Sequence, residues 1–488
     1  MSSLQHFPLG AVLPNSPHAV VCSLPTMADV CGYEEREARV IEAMSAGYPR
    51  FVQHPYVREL IAYYMKREAL LGRAGLLIRG AHFSAAIFNY TEQQIAVLEV
   101  EPNLYLLHYS EDAADLARKV RLYVQHVGCG LSSRQAEDLL LEFGRLPVLH
   151  AETTFAGAAE AEVVQRVAEL CECEPNGVRM CASGMSAFYA AFSAVQQVQL
   201  SQGRKQWLQL GWLYLDTGCI LQGFLAEGES LEVCYDVKDI DSLLLKIASC
   251  GDDLAGVVVE CPTNPLVQVV DLARVSAAVR AVGGLLIVDP TIASLYNMDV
   301  LRYADVLVSS LTKYASYEGD VMIGTLVLNS SSPSYAALSA ELADFCLEPY
   351  ARDLSRLALQ MRSAPAVVGQ MNSNAMQLCE FLRAHPAVKQ VHCAMDYPSF
   401  AGLSRGASCF GAMITIELDG PLALVYDAIR CMKGPSFGTQ YTLISPFMYL
   451  AHYDLVTTPT GREFLSSVGI NPELLRISVG VEPYVEIE

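Results

Sequence analysis

The sequence has no long hydrophobic run. Hydrophobic residues make up 52% of its 488 positions and the mean hydropathy is +0.27, yet no stretch approaches the roughly 18 uninterrupted apolar residues of a membrane span. The most apolar candidates are broken by charge: 266–282 contains Asp271, Arg274 and Arg280, and 285–288 runs directly into Asp289. Positive charge is also scarce. The 33 Lys+Arg against 53 Asp+Glu give a formal net charge of −20, which excludes the positive field that non-specific nucleic-acid or anionic-membrane binding requires. A small anionic ligand in a local cationic pocket stays open. With charged residues at 18% and so high an apolar fraction, a disordered or fibrous chain is excluded. The fifteen cysteines form no C-x-x-C pair, and Cys171 with Cys173 lacks the second pair of a zinc site. No histidine is spaced as a metal ligand, so no metal is expected. Reduced, packed thiols in a cytosol are the expectation, and the first 25 residues lack the basic and apolar regions of a secretory signal. A nicotinamide-type fingerprint is missing too, because Gly128 and Gly130 are followed by Ser133 where a third glycine belongs.

What is present organises itself by texture. The length implies two or three domains, with boundaries expected at 1–150, 151–365 and 366–488. The first mixes a Pro-rich start with helical and strand-like patches, and the last follows a Met/Asn-rich helix. The middle is the most readable. Gly256-Val-Val-Val-Glu260, Leu285 to Asp289 and Asp305 to Ser310 are short apolar runs separated by helical periodicity. Such runs predict strands of a parallel sheet buried on both faces, hence an α/β fold. Ligands of such sheets gather at the carboxyl ends of the strands, where Glu260, Asp289 and Ser310 stand.

Lys313 lies three residues past Ser310, in Ser-Ser-Leu-Thr-Lys-Tyr. A lysine just beyond a buried strand is partly desolvated, which favours the neutral, nucleophilic amine. Asp289, ending a neighbouring run, could keep a pyridinium nitrogen protonated, and Ser310 and Thr312 offer hydroxyls to a phosphate. Upstream, Cys181-Ala-Ser-Gly-Met-Ser186 precedes a helical stretch, so the N–H groups of Gly184 and Met185 would face an anion. Tyr214 could stack on an aromatic ring. A Schiff-base lysine, an aspartate partner and a phosphate cradle are the parts of a pyridoxal phosphate (PLP) site. Cys261 has no histidine near it in sequence and is expected as a packed thiol; His452 is expected to be structural.

Along nearly its whole length the sequence resembles the cystathionine γ-synthase-like, Cys/Met-metabolism PLP enzymes of fold type I, and among them the fungal type of cystathionine γ-synthase. The resemblance is carried by Leu13-Pro-Asn-Ser-Pro-His-Ala-Val, Ser23-Leu-Pro-Thr, Gly32-Tyr-Glu-Glu and Gly47-Tyr-Pro-Arg-Phe. It continues through Tyr214-Leu-Asp-Thr, Pro262-Thr-Asn-Pro, Ser310-Leu-Thr-Lys-Tyr, Gly434-Pro-Ser-Phe-Gly-Thr, Ala451-His-Tyr and Arg476-Ile-Ser-Val-Gly-Val-Glu.

The resemblance implies a large PLP domain, a smaller α+β C-terminal domain and an extended N-terminal segment. It implies Lys313 as Schiff-base lysine and proton shuttle, aided by Tyr214, which stacks on the ring. Asp289 would bind the pyridine nitrogen, Asn264 would lie near the phenolic oxygen, and Gly184, Met185, Ser310 and Thr312 would hold the phosphate. Tyr48 and Arg50 would reach the neighbouring subunit's phosphate, making the protein a dimer at least, with a tetramer expected. Arg476, helped by Ser436, would grip the substrate carboxylate. The implied reaction is γ-replacement on an O-acylated homoserine by cysteine, giving cystathionine in transsulfuration and methionine biosynthesis. The alternatives are another nucleophile (sulfide or a carbon acid), a γ-lyase, or a catalytically silent homologue. Two departures bear on substrate identity. Cys219 stands where the family usually has a lysine, and Tyr317-Glu318 occupies the loop after Lys313; both are expected near the substrate's γ-substituent or the incoming nucleophile. Residues 60–150 are expected to serve packing or subunit contact.

Overall fold

The computed structural model describes residues 4–45 and 53–487, which carry three sheets. The central one has seven strands in the order Val178–Cys181, Gly324–Leu328, Val306–Ser310, Leu285–Asp289, Leu254–Glu260, Gln206–Leu210 and Ser230–Cys234. The last five run parallel, whereas Gly324–Leu328 is antiparallel to both its neighbours. The three apolar runs of the sequence are adjacent strands. Their residues alternate between two cores: Val257, Val259, Leu286, Val288 and Leu307 face one, and Val258, Ile287, Val306 and Val308 the other. Side chains on a strand point to opposite faces in turn, so a strand covered on both sides must be apolar throughout. Helix Leu272–Ala281 covers the first face, capped by Asp271, which accepts from the Arg274 N–H. Helix Gly184–Leu200 covers the second and is itself buried nearly all round, because Phe188 and Phe192 meet the sheet while other segments pack outside it.

The C-terminal sheet has the order Val388–His392, Met413–Leu418, Leu474–Ser478, Leu443–Ser445 and Met432–Lys433. The boundary expected at 365 falls inside one continuous helix, Ala351–Ala384, which accommodates Pro365. The segment expected as one unit over 1–150 divides in two. Leu24, Val30 and Val40 pack with Leu378, Ile416 and Tyr426 in the C-terminal core. Residues from 53 onward instead build a three-stranded antiparallel sheet, Arg73–Arg79, Leu104–Ser110 and Ala96–Glu101, around Leu60, Tyr64, Leu77 and Leu106.

This accessory layer docks on the central domain through helix Ala114–Val127, whose Val120, Tyr123 and Val127 share a core with Phe188 and Phe192. Gly128 ends that helix at φ 70°, and a Cβ there would lie 2.5 Å from Ser183 Oγ and 2.8 Å from Ser186 N. Only glycine allows so close an approach in that conformation, so the helix end is fixed against the start of Gly184–Leu200. A buried ion network ties the pieces together. Arg134 donates to Glu152 at 2.7 Å, Asp353 at 2.9 Å and the Asp320 carbonyl at 2.8 Å. His18 of the N-terminal arm meets Glu137 at 3.2 Å, and Arg352 bridges Glu137 and Glu152, each at 3.0 Å. Among the described residues no helix is long and apolar enough to cross a membrane.

Candidate active site

A cavity of about 520 Å³ opens at the carboxyl end of the central sheet, between the large domain, the C-terminal domain, the N-terminal arm and the accessory layer. Parallel strands place their last residues together: Glu260 and Asp289 are paired in register. The Glu260 carboxylate accepts the Tyr214 N–H at 2.5 Å and so anchors the entry to helix Leu215–Gly223. Asp289 accepts the Thr291 N–H at 2.8 Å. Burial pushes the Asp289 carboxyl up to about 6, against the pull of the Thr291 hydrogen bonds. Burial and the neighbouring Asp289 also push Glu260 up, opposed by Tyr214 N–H and Arg476. Two adjacent buried carboxyls favour a cationic partner.

Lys313 follows strand Val306–Ser310 at the start of a short 3-10 turn, Tyr314–Ser316. Its Nζ donates to Ser436 Oγ at 2.8 Å and stands 4.9 Å from the centre of the Phe437 ring. Arg476, in strand Leu474–Ser478, donates to Asn264 Oδ1 at 3.1 Å and to the Ser436 carbonyl at 3.0 Å. The rings of Phe437 and Phe447 flank its guanidinium at 5.2 and 4.8 Å. Lys313 and Arg476 are 7% and 5% exposed, so both cations are presented by apolar walls that strengthen their pull on an anionic ligand.

The residues present fit a phosphate-bearing cofactor. Gly184 and Met185 open helix Gly184–Leu200, with Ser183 capping it by accepting the Ser186 N–H at 3.1 Å; the first N–H groups of a helix have no partner within it and suit an anion. A Cβ on Gly184 would lie 2.8 Å from Ser310 Cβ, so the concavity exists because that residue is glycine. The buried Ser310 hydroxyl has no hydrogen-bond partner among the described residues.

Gly184, Met185, Tyr214, Asn264, Asp289, Ser310, Lys313, Ser436 and Arg476 all line the one cavity. Thr312 does not join them: its hydroxyl accepts the Ile323 N–H at 3.1 Å and donates to the Ile323 carbonyl at 3.3 Å. Tyr48 and Arg50 lie outside the described residues. Glu318 pairs with Arg356 at 2.5 Å, outside the cavity wall, so that departure serves the ion network. Cys261 is wholly buried, its thiol pushed up by burial to about 12. His452 packs edge-on to Trp212 at 5.0 Å. Sequence reading missed three groups. Asp216, in the first turn after Tyr214, lines the cavity and accepts Gln125 Nε2 at 2.9 Å, with His126 Nδ1 at 3.1 Å. His126, Asp216 and Cys219 bring donor atoms within 4.8 Å of one another. Asp216 was visible in the Tyr-x-Asp-Thr motif; Gln125 and His126, ninety residues upstream, carried no signal.

The sequence model described as Cys/Met metabolism PLP-dependent enzyme matches residues 157–488. Over 476 residues the chain is 36% identical to L-2-amino-4-chloropent-4-enoate dechlorinase/desaturase of Streptantibioticus cattleyicolor, covering 96% of this chain and 94% of that protein. It is 26% identical over 608 residues to cystathionine γ-synthase of Neurospora crassa, covering 98% and 96%. The solved cystathionine γ-synthase of Xanthomonas oryzae pv. oryzae, in complex with aminoacrylate and cysteine, is similar with a TM-score of 0.56 at 25% identity, over 70% of this chain and 89% of that one.

Proposed function

The chain belongs to the Cys/Met-metabolism PLP-dependent enzymes, and within that family we propose that it removes a leaving group from the γ carbon of an α-amino acid, with desaturation of the side chain. Pyridoxal phosphate, when bound, supplies a ring that takes up the electrons released at the substrate's α carbon. Gly184, Met185 and Ser310 would hold its phosphate, Asp289 would keep its ring nitrogen protonated, and Tyr214 would cover the ring. Arg476 takes the substrate carboxylate in a bidentate pair, with Asn264 and Ser436 fixing the guanidinium. Lys313, steered by Ser436 Oγ, accepts the proton from Cα. Once it has passed that proton on, its freed amine is placed to accept a Cβ proton as the γ group leaves, and a proton is returned to Cα before the product departs.

The observation that carries this reading is the likeness at 36% identity to a relative named for dechlorination and desaturation, over 96% of this chain and in an alignment no longer than the chain itself. The name of that relative's substrate places chlorine on the γ carbon. The second reading is γ-replacement on an O-acylhomoserine by cysteine, giving cystathionine. It is favoured by the likeness to the Neurospora enzyme, although that alignment spreads 98% of the 488 residues over 608 positions and so opens long gaps. Cys219, where the family usually has a lysine, lies within 4.8 Å of Asp216 and His126 but is not among the residues that line the cavity. A homo-oligomer with Tyr48 and Arg50 acting in trans, and a cytoplasmic setting consistent with fifteen free cysteines, complete the proposal.

The test is product analysis by mass spectrometry. Holoenzyme is incubated with 2-amino-4-chloropent-4-enoate and with O-acetyl-, O-succinyl- and O-phosphohomoserine, each with and without cysteine or sulfide. Release of the γ group with an unsaturated amino acid and no acceptor supports desaturation. Turnover only with cysteine, giving cystathionine, establishes the second reading in its place. Release of a 2-oxo acid and ammonia would mark a γ-lyase.

A further inference from the structure

Departure of a γ-substituent more basic than a halide is assisted by a proton, and neither Lys313 nor Arg476 is free to supply it. Lys313 is committed to Cα and Cβ, and Arg476 to the carboxylate. Two carboxyls of the wall adjoin Tyr214: Glu260 is committed to the Tyr214 N–H at 2.5 Å, which leaves Asp216, 1% exposed and in the first turn of helix Leu215–Gly223. Its Oδ1 is held from the other side by Gln125 Nε2 at 2.9 Å and His126 Nδ1 at 3.1 Å. Both donors come from the last turn of helix Ala114–Val127. The close seating of Gly128 on Ser183 and Ser186 fixes that turn relative to the phosphate cradle. The carboxyl is therefore registered against the cofactor site by two independent elements.

The geometry points to Asp216 as the acid–base group on the γ side of the substrate, with His126 and Gln125 as its positioning residues. The inference rests on the γ-leaving-group chemistry proposed above and assigns the proton taken by any leaving group more basic than chloride. As the Cγ–X bond breaks, X departs with the bonding electron pair and takes the proton of the Asp216 carboxyl, leaving as HX. The Cβ–H proton goes to Lys313, so the substrate loses H and X and nothing is oxidised or reduced from outside. Asp216, now a carboxylate, is reprotonated from water through the His126 hydrogen bond. Where a thiol adds instead, the same carboxylate accepts its proton as the S–Cγ bond forms. The accessory layer of residues 53–150 thereby gains a chemical role: it delivers the two side chains that orient this carboxyl.

The experiment uses holoenzyme of wild type, Asp216→Asn and His126→Gln with three readouts. They are deuterium exchange at Cα of a substrate analogue with no leaving group, release of acetate from O-acetylhomoserine, and release of chloride from 2-amino-4-chlorobutanoate. Asp216→Asn is expected to keep Cα exchange within about threefold and to lose acetate release by about 100-fold, the lower end of general acid–base contributions. Chloride, which needs no proton to leave, should fall by less than about threefold. His126→Gln retains a donor to Asp216 and should lose about tenfold on acetate alone. Equal losses on both leaving groups, or none, overturn the acid role of Asp216 while leaving the proposed reaction standing. Wild-type holoenzyme that exchanges Cα yet releases neither group overturns the proposed reaction and this inference together. Loss of Cα exchange in both variants assigns Asp216 to site architecture and also overturns the proton-transfer role.

Discussion

Ser436 and Lys313 are joined by a hydrogen bond of 2.8 Å from Nζ to Oγ, and the serine making it holds φ at 101°, a conformation that favours glycine. Such a residue costs about 1–3 kcal/mol and persists where its surroundings over-determine it. Here the Ser436 carbonyl also accepts from Arg476, so one strained residue spaces the two cations of the site. Ser436→Gly relieves the strain but loses a bond worth about 1 kcal/mol and adds about 0.5–1 kcal/mol of backbone entropy, leaving stability within about 1 kcal/mol of wild type. Ser436→Ala keeps the strain and loses the bond, and should be less stable than the glycine variant in urea denaturation of cofactor-free protein. Both should turn over more slowly. An alanine variant more stable than the glycine one contradicts the strain.

Lys313→Ala should lose the absorbance band of the lysine-linked cofactor and lower turnover by at least about 10³-fold, because among the described residues no other lysine lines the cavity. Absorbance spectra of the purified variant with added pyridoxal phosphate check the first, and product release the second. An unchanged spectrum would remove Lys313 from the lysine role.

The strands and the place of Lys313 just past one of them could be read in advance because both are local. Leu254–Glu260 is buried along its whole length, so its composition alone marks it, and Glu260 and Asp289 end their runs on acids. What failed was anything set by direction or by distant pairing. In Ser310-Leu-Thr-Lys two hydroxyls look alike, yet Ser310 faces the cavity and Thr312 turns to Ile323, since the choice depends on the segment leading into the antiparallel strand Gly324–Leu328 alongside. The N-terminal third showed amphipathic patches without showing their partners, which lie in the C-terminal core for Val30 and on Phe188 for Val120. The pairing of His126 with Asp216 exists only once the accessory layer docks.

Arg476→Lys should raise KM for the amino-acid substrate about 10- to 100-fold and change kcat less. The guanidinium spans Asn264 and the Ser436 carbonyl between the rings of Phe437 and Phe447, and a carboxylate would be forked by N–H groups on its edge; an ammonium keeps the charge but cannot make the fork. Steady-state kinetics with the preferred substrate decide it. A variant that lowers kcat and leaves KM untouched would place the carboxylate elsewhere.

Asp289 ties the site to pH. In the cofactor-free protein burial raises its carboxyl to about 6, above the roughly 3.9 of an unfolded chain, so between these values the native state binds a proton that the unfolded state does not. The sign follows: the stability contributed by this group is present below about pH 4 and is lost as pH rises through about 6. Relative to Asp289→Asn, cofactor-free wild type should therefore gain about 1 kcal/mol on going from pH 7 to pH 5, read by urea denaturation of both proteins at both values. Cofactor binding runs the other way. Pairing with a protonated ring nitrogen needs the carboxylate, so binding at pH 5 must first expel the proton, and affinity should fall about tenfold between pH 7 and pH 5. Asp289→Asn, with no proton to expel, should bind more weakly at pH 7 and lose less on acidification. If the two proteins lose affinity in parallel, another group sets the acid limb and Asp289 is not the ring-nitrogen partner.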